Sequence, residues 1–179
     1  PEDETAITRL AETIEIDVQP GSVSDGRAFD VLINHQDHTW DIRSPEVNQQ
    51  VSLVSSYPGV RHAMTIQQRK IAGRGRIVML GRDIGTVVLP DADLKIYLDA
   101  SLKVRAKRRF EEEKARGSCV TYQEVVSSLK RRDKIDSSRK FAPLKIAADA
   151  VVINTDNMSA AQVVEYIKAL CSRSASANP

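Results

Sequence analysis

Ile77-Val78-Met79-Leu80-Gly81-Arg82-Asp83-Ile84-Gly85-Thr86 is the stretch on which the fold turns. Four apolar residues without alternation suit a strand buried on both faces, as in a parallel sheet. A charged turn flanked by glycines follows. In open α/β sheets, ligands bind beyond the carboxyl ends of the strands. There the glycines let backbone approach a ligand, the Arg82 guanidinium can fork onto a phosphate, and Asp83 can accept from an amine. A plain strand-to-loop turn with a surface ion pair reads the same way, so the hexapeptide alone leaves both open.

Downstream, residues 94–98 and 150–153 are two more short apolar runs, and helical patterns separate them. That alternation predicts an α/β core with a parallel sheet. Residues 102–116 read as a highly charged helix. Thr121-Tyr122-Gln123-Glu124 has capping-box form and opens a helix to about Arg139. Ser159-Ala160-Ala161-Gln162 opens a last one, and the Ser/Ala-rich tail from Ser172 is expected to fray.

Upstream, Ile7, Leu10, Ala11 and Ile14 form one helical stripe. The period then falls to two. Ile14, Ile16 and Val18 alternate up to Pro20-Gly21, and Phe29, Val31 and Ile33 alternate after it. His38-Thr39-Trp40-Asp41-Ile42 reads as a third strand of a small antiparallel sheet. Ser44-Pro45-Glu46 starts a helix to about Tyr57. Pro58 breaks it, and a second helix runs to about Ala72, ended by Gly73 and Gly75.

Composition excludes several classes. With 41% apolar and 28% charged residues the chain is globular, and a net charge of +2 is no polycation. The balance is local: residues 103–140 hold 13 Lys/Arg against 6 Asp/Glu, which suits an anionic partner, nucleotide or nucleic acid. Cys119 and Cys171 fit no metal or redox spacing and are expected as free thiols. No apolar run nears the ~18 residues of a membrane span and no signal peptide is visible, so a cytoplasmic protein is expected. The chain opens on Pro1 rather than Met, which suggests a cut N-terminus.

Three further clusters bear on chemistry. Arg132, Asp136 and Arg139 share a helix face at i, i+4, i+7. They could hold a nucleotide by phosphate and ribose, or be an ordinary surface ion pair. Arg105, Arg108 and Arg109 share a face of the preceding helix, with Glu111, Glu112 and Glu113 placed to pair with them. His35-x-x-His38 sits in a hairpin turn with no third ligand nearby, so no metal site is assigned.

Together these pieces resemble the bacterial cytidylate kinases, a branch of the nucleoside monophosphate kinases. The resemblance rests on Gly81 through Ser101, on Arg132-Asp133 through Asp136 with Arg139, Ala142-Pro143-Leu144 and Ala147-Ala148-Asp149-Ala150, and on Ile42-Arg43-Ser44-Pro45-Glu46-Val47. It spans residues 3 to 170 or so, with the motifs in the right order and spacing. It implies a P-loop nucleoside monophosphate kinase-like α/β core with a parallel sheet, incomplete at the N-terminus, plus a small antiparallel β insert. The segments implied are 1–45 as the monophosphate-binding insert, 46–100 as core, 101–140 as a basic lid-like region, 141–172 as the last core strand and helix, and 173–179 as a disordered tail.

The resemblance also implies roles. Ser52, Arg61 and Asp83 would read the cytosine ring. Arg82 and Arg139 would hold the monophosphate, and Asp136 with Arg132 the ribose. Arg105 and Arg108 would meet the ATP phosphates. The implied reaction is phosphoryl transfer from ATP, with Mg²⁺, to CMP or dCMP, by a protein that is monomeric in the family. Leu80 and Ile135 depart from the acidic residue and the arginine common at those positions. No G-x-x-x-x-G-K-[ST] phosphate loop occurs in the 179 residues. A non-catalytic CMP-binding fragment is therefore the alternative to a working kinase. A nucleic-acid module on 103–140 ranks below both, because aromatics are scarce at 4% and acids interrupt the basic stretch.

Overall fold

The computed structural model describes residues 2–138 and 142–177. By its internal contacts the chain divides between Gly81 and Arg82 into two compact units.

The first unit opens with α1 (Glu4–Thr13), where the Asp3 carboxylate accepts from the Ala6 N–H and caps the first turn. Strands β1 (Ile16–Pro20), β2 (Phe29–Ile33) and β3 (Gln36–Asp37) form an antiparallel sheet in that order, with Ile16 opposite Ile33 and Ile33 opposite Gln36. The two-residue link Asn34-His35 takes positive φ at both positions, 49° and 66°, as a tight hairpin turn requires. The third strand is shorter and earlier than the sequence pattern suggests. Alternation at His38–Ile42 does not give a strand, because the backbone turns there: the Thr39 N–H donates to Asp37 Oδ1, and Asp41–Arg43 is a 3-10 turn. Helix α2 (Pro45–Val54) starts on the Ser44 cap with Pro45 in the first turn. Helix α3 (Pro58–Ala72) begins at the proline that breaks α2. Ala11, Val60 and Ala63 are the buried centre of this unit, packed by Ile7, Val54, Tyr57 and Met64.

The second unit holds β4 (Ile96–Asp99), α4 (Leu102–Ala115), α5 (Tyr122–Ser138), β5 (Val151–Asn154) and α6 (Ala160–Ala177). Strands β4 and β5 pair in parallel, Ile96 opposite Val151, and α4 packs on α5. The mixed α/β architecture with a parallel sheet and a separate antiparallel one is that expected of a nucleoside monophosphate kinase-like fold. Both predicted capping boxes form: Thr121 and Glu124 exchange hydrogen bonds of 2.7 and 3.3 Å, Ser159 and Gln162 bonds of 2.8 and 3.3 Å.

Two expectations differ. Residues 77–80 are not a strand, and Val78 and Leu80 are each 86% exposed. Apolar composition nominates a strand, but only a ladder of backbone hydrogen bonds makes one. Among the described residues the parallel ladder consists of β4 and β5. At the other end, α6 runs to Ala177, past the point where fraying was expected. Residues 173–177 contain neither glycine nor proline, so nothing there breaks the helix.

Candidate functional site

The Gly81–Thr86 motif folds into something tighter than a loop. Ile84–Val88 form a single π-helical turn, a geometry that clusters at functional sites. The Asp83 carbonyl accepts from the Val87 N–H at 2.9 Å, with Thr86 and Val88 at 3.4 and 3.3 Å, and the Leu89 N–H closes on the Ile84 carbonyl at 2.7 Å. Val88 is 1% exposed and anchors the turn, while Asp83 itself is buried.

Arg82, the residue before it, reaches α5. Its Nη1 donates to Asp136 Oδ2, and Arg132 Nε lies 3.9 Å from the same oxygen. The Asp136 side chain is only 6% exposed, so two guanidiniums flank one buried carboxylate. The i, i+4 spacing put Arg132 and Asp136 on one face; Arg82 comes from 54 residues away. Beyond α5, the Leu144 N–H donates to the Asp136 carbonyl at 2.7 Å, so the Ala142-Pro143-Leu144 segment folds back on the helix end. Arg139 lies outside the described residues.

Arg105 and Arg108 take different partners. Arg105 forms a two-pronged bond to Asp133 of α5, which raises its pKa further, the hydrogen bond to Asp133 outweighing the opposing effect of burial. Arg108 turns toward the end of β5, donating to Thr155 Oγ1 at 3.0 Å, to the Thr155 carbonyl and to the Met158 carbonyl. Arg109 pairs with Glu112 and Glu113, Arg116 with Glu112 and Lys107 with Glu111, so these three cations are paired with acids of α4 itself.

Ser52 and Arg61 lie in the first unit, at the α2–α3 joint. Ser55 links them: its hydroxyl donates to the Ser52 carbonyl at 3.2 Å, and its carbonyl accepts from Arg61 at 3.4 Å. His35 and His38 do not converge, since they pair separately with Glu15 and Asp41. Among the described residues no group of three or more His, Cys, Asp or Glu is placed to hold a metal ion. Nor is any described helix long and apolar enough to cross a membrane.

Sequence reasoning missed Asp133 and Thr155 as arginine partners, because no local pattern signals contacts between α4 and α5 or between α4 and the end of β5. It also missed Arg27, whose side chain is 6% exposed among Asp25, Asp30 and Asp37. Here the signal is visible in retrospect, as an arginine between closely spaced aspartates on two neighbouring strands and their loop.

A family model described as cytidylate kinase matches residues 1–173. The chain belongs to the cytidylate kinase family. It is 45% identical to a cytidylate kinase of Herpetosiphon aurantiacus over 94% of its own length and 72% of the relative's. A cytidylate kinase of Bacillus velezensis is 46% identical over 92% of this chain and 72% of the relative. For that of Chloroflexus aggregans the figures are 45%, 93% and 71%. As a cytidylate kinase the protein is a phosphotransferase of the nucleoside monophosphate kinase class, with nucleotide substrates and ATP as the family's phosphate donor.

Proposed function

We propose that these residues carry the CMP- and dCMP-reading part of the enzyme. The observation that supports this best is the buried Asp136 carboxylate between Arg82 and Arg132. In this reading Asp136 and Arg132 take the ribose hydroxyls, and Arg82 with Arg139 takes the monophosphate. Ser52, Arg61 and Asp83 read the ring: a hydroxyl and a carboxylate accept from the exocyclic amine that uracil lacks, and Arg61 donates to the acceptor edge. Arg105 and Arg108 approach the donor phosphates once Arg105 leaves Asp133 and Arg108 gives up its bonds to Thr155 and Met158. Residues 1–45 then act as the monophosphate-binding insert, 46–100 and 141–172 as core, and 101–140 as the lid.

Mg²⁺ would be carried on the substrate phosphates with several of its waters, where it would neutralise charge on the transferring group. A monomer in the cytoplasm completes the proposal. The internal pairing along α4 favours a nucleotide over a nucleic acid as the anionic partner.

Calorimetric titration of the chain with CMP, dCMP and UMP tests the reading. CMP should bind more tightly than UMP; equal affinity, or no binding by a folded chain, overturns it. Coupled detection of ADP released with CMP reads the phosphoryl transfer itself.

A further inference from the structure

Lys95 stands immediately before β4, and its backbone is fixed in the parallel sheet, since its carbonyl accepts from the Val151 N–H at 2.9 Å. Its side chain is only 9% exposed. A lysine at a strand entrance ordinarily keeps its ammonium in water and leaves its stem loosely placed. Here the stem lies against Gly85, inside the π-helical turn. A Cβ built on Gly85 would meet Lys95 Cδ at 3.4 Å, Cγ at 3.5 Å and Cβ at 3.7 Å. The ammonium then emerges at Asp149, 2.6 Å from Oδ2, just ahead of β5. The same bond holds the Asp149 carboxyl below its usual range.

We infer that Lys95, tethered by Asp149, is a positioning residue that clamps the turn carrying Arg82 and Asp83. The stem packs so closely on Gly85 that a methyl there would be in van der Waals contact with three of its carbons. The clamp acts on the turn's hydrogen bonds, because Val87 and Leu89, which close onto Asp83 and Ile84, lie two and four residues after Gly85. Whatever fixes that turn fixes the direction in which the two residues before it present their side chains. An ordinary exposed ion pair contributes little and has no such local target. The consequence for substrate rests on the proposal that Arg82 and Asp83 read CMP.

The experiment compares the 179-residue chain with Lys95→Ala and Lys95→Met, using hydrogen exchange resolved to single amides and titration with CMP and UMP. Lys95→Ala should speed exchange at Val87 and Leu89 by about tenfold or more while α4 amides change little, since local opening is independent of global unfolding. It should also lower the ratio of CMP to UMP affinity. Lys95→Met keeps an unbranched stem but loses the tether to Asp149, so it should fall between Lys95→Ala and the unmodified chain in both properties. Unchanged exchange in the turn, a uniform increase across the chain, or local loosening with an unaltered CMP/UMP ratio would each overturn the clamp. If the unmodified chain binds no CMP, the substrate reading fails separately, and the exchange pattern alone decides the clamp.

Discussion

Arg105 on α4 and Asp133 on α5 meet end to end, Nη1 to Oδ1 at 3.1 Å and Nη2 to Oδ2 at 2.8 Å. Both side chains are about one-third exposed, so water and salt screen the pair. Asp133→Asn should cost ~0.5–1 kcal/mol in urea unfolding. The cost should shrink in about 1 M salt, where the screening length falls to about 3 Å. A loss independent of salt would mean that Asp133 acts through packing.

Asp136 lies deeper. Asp136→Asn keeps the shape but removes the charge that Arg82 and Arg132 face. Breaking a fully buried pair costs ~3–5 kcal/mol; because Arg82 is 30% exposed, a loss of about 1–3 kcal/mol is expected. CMP affinity should fall about tenfold or more, ~1.4 kcal/mol. Thermal unfolding and calorimetry read the two effects on the same sample.

Gly59, in the first turn of α3, sits where α1 crosses. A Cβ there would be 2.3 Å from Thr8 Cγ2 and 3.1 Å from Thr8 Cβ. Gly59→Ala should therefore destabilise by ~1–3 kcal/mol despite alanine's better helix propensity. Adding Thr8→Ala removes the methyl and hydroxyl but not the Cβ, so the double variant should recover part of the loss. No recovery would place the strain elsewhere.

Acid titration reports on Arg27. Its hydrogen bond to Asp37, aided by Thr39, holds that carboxyl at about 2, and Arg27 with Trp40 holds Asp25 lower still. These folded values lie below the ordinary 3.8, so their stabilisation is complete above that pH and is lost as pH falls from 3.8 toward 2. Trp40 is the single tryptophan, and its indole N–H donates to Asp25 at 2.8 Å. Its emission should stay constant from neutral pH to about pH 4 and change below it. In Arg27→Met the aspartates repel one another, which favours protonation, so the antiparallel sheet should loosen at neutral pH and tighten on mild acidification. An unchanged acid profile in that variant would refute the role given to Arg27.

Local chemistry was legible in the residues themselves. The caps at Ser44, Thr121 and Ser159, the breaks at Pro58 and Gly73, and the shared face of Arg132 and Asp136 depend on neighbours within a few positions, and they stand where the pattern puts them. The family was legible as well, because its motifs are contiguous and keep their order. What sequence could not decide were the relationships that need a distant partner. Residues 77–80 have the composition of a buried strand and are not one, because a strand exists only through its ladder. Arg105, Arg108 and Arg82 found Asp133, Thr155 and Asp136 across gaps of 28, 47 and 54 residues, and Lys95 found Asp149 across 54. Which carboxylate or carbonyl an arginine meets is set by how helices and strands pack, and side-chain type carries no record of that distance.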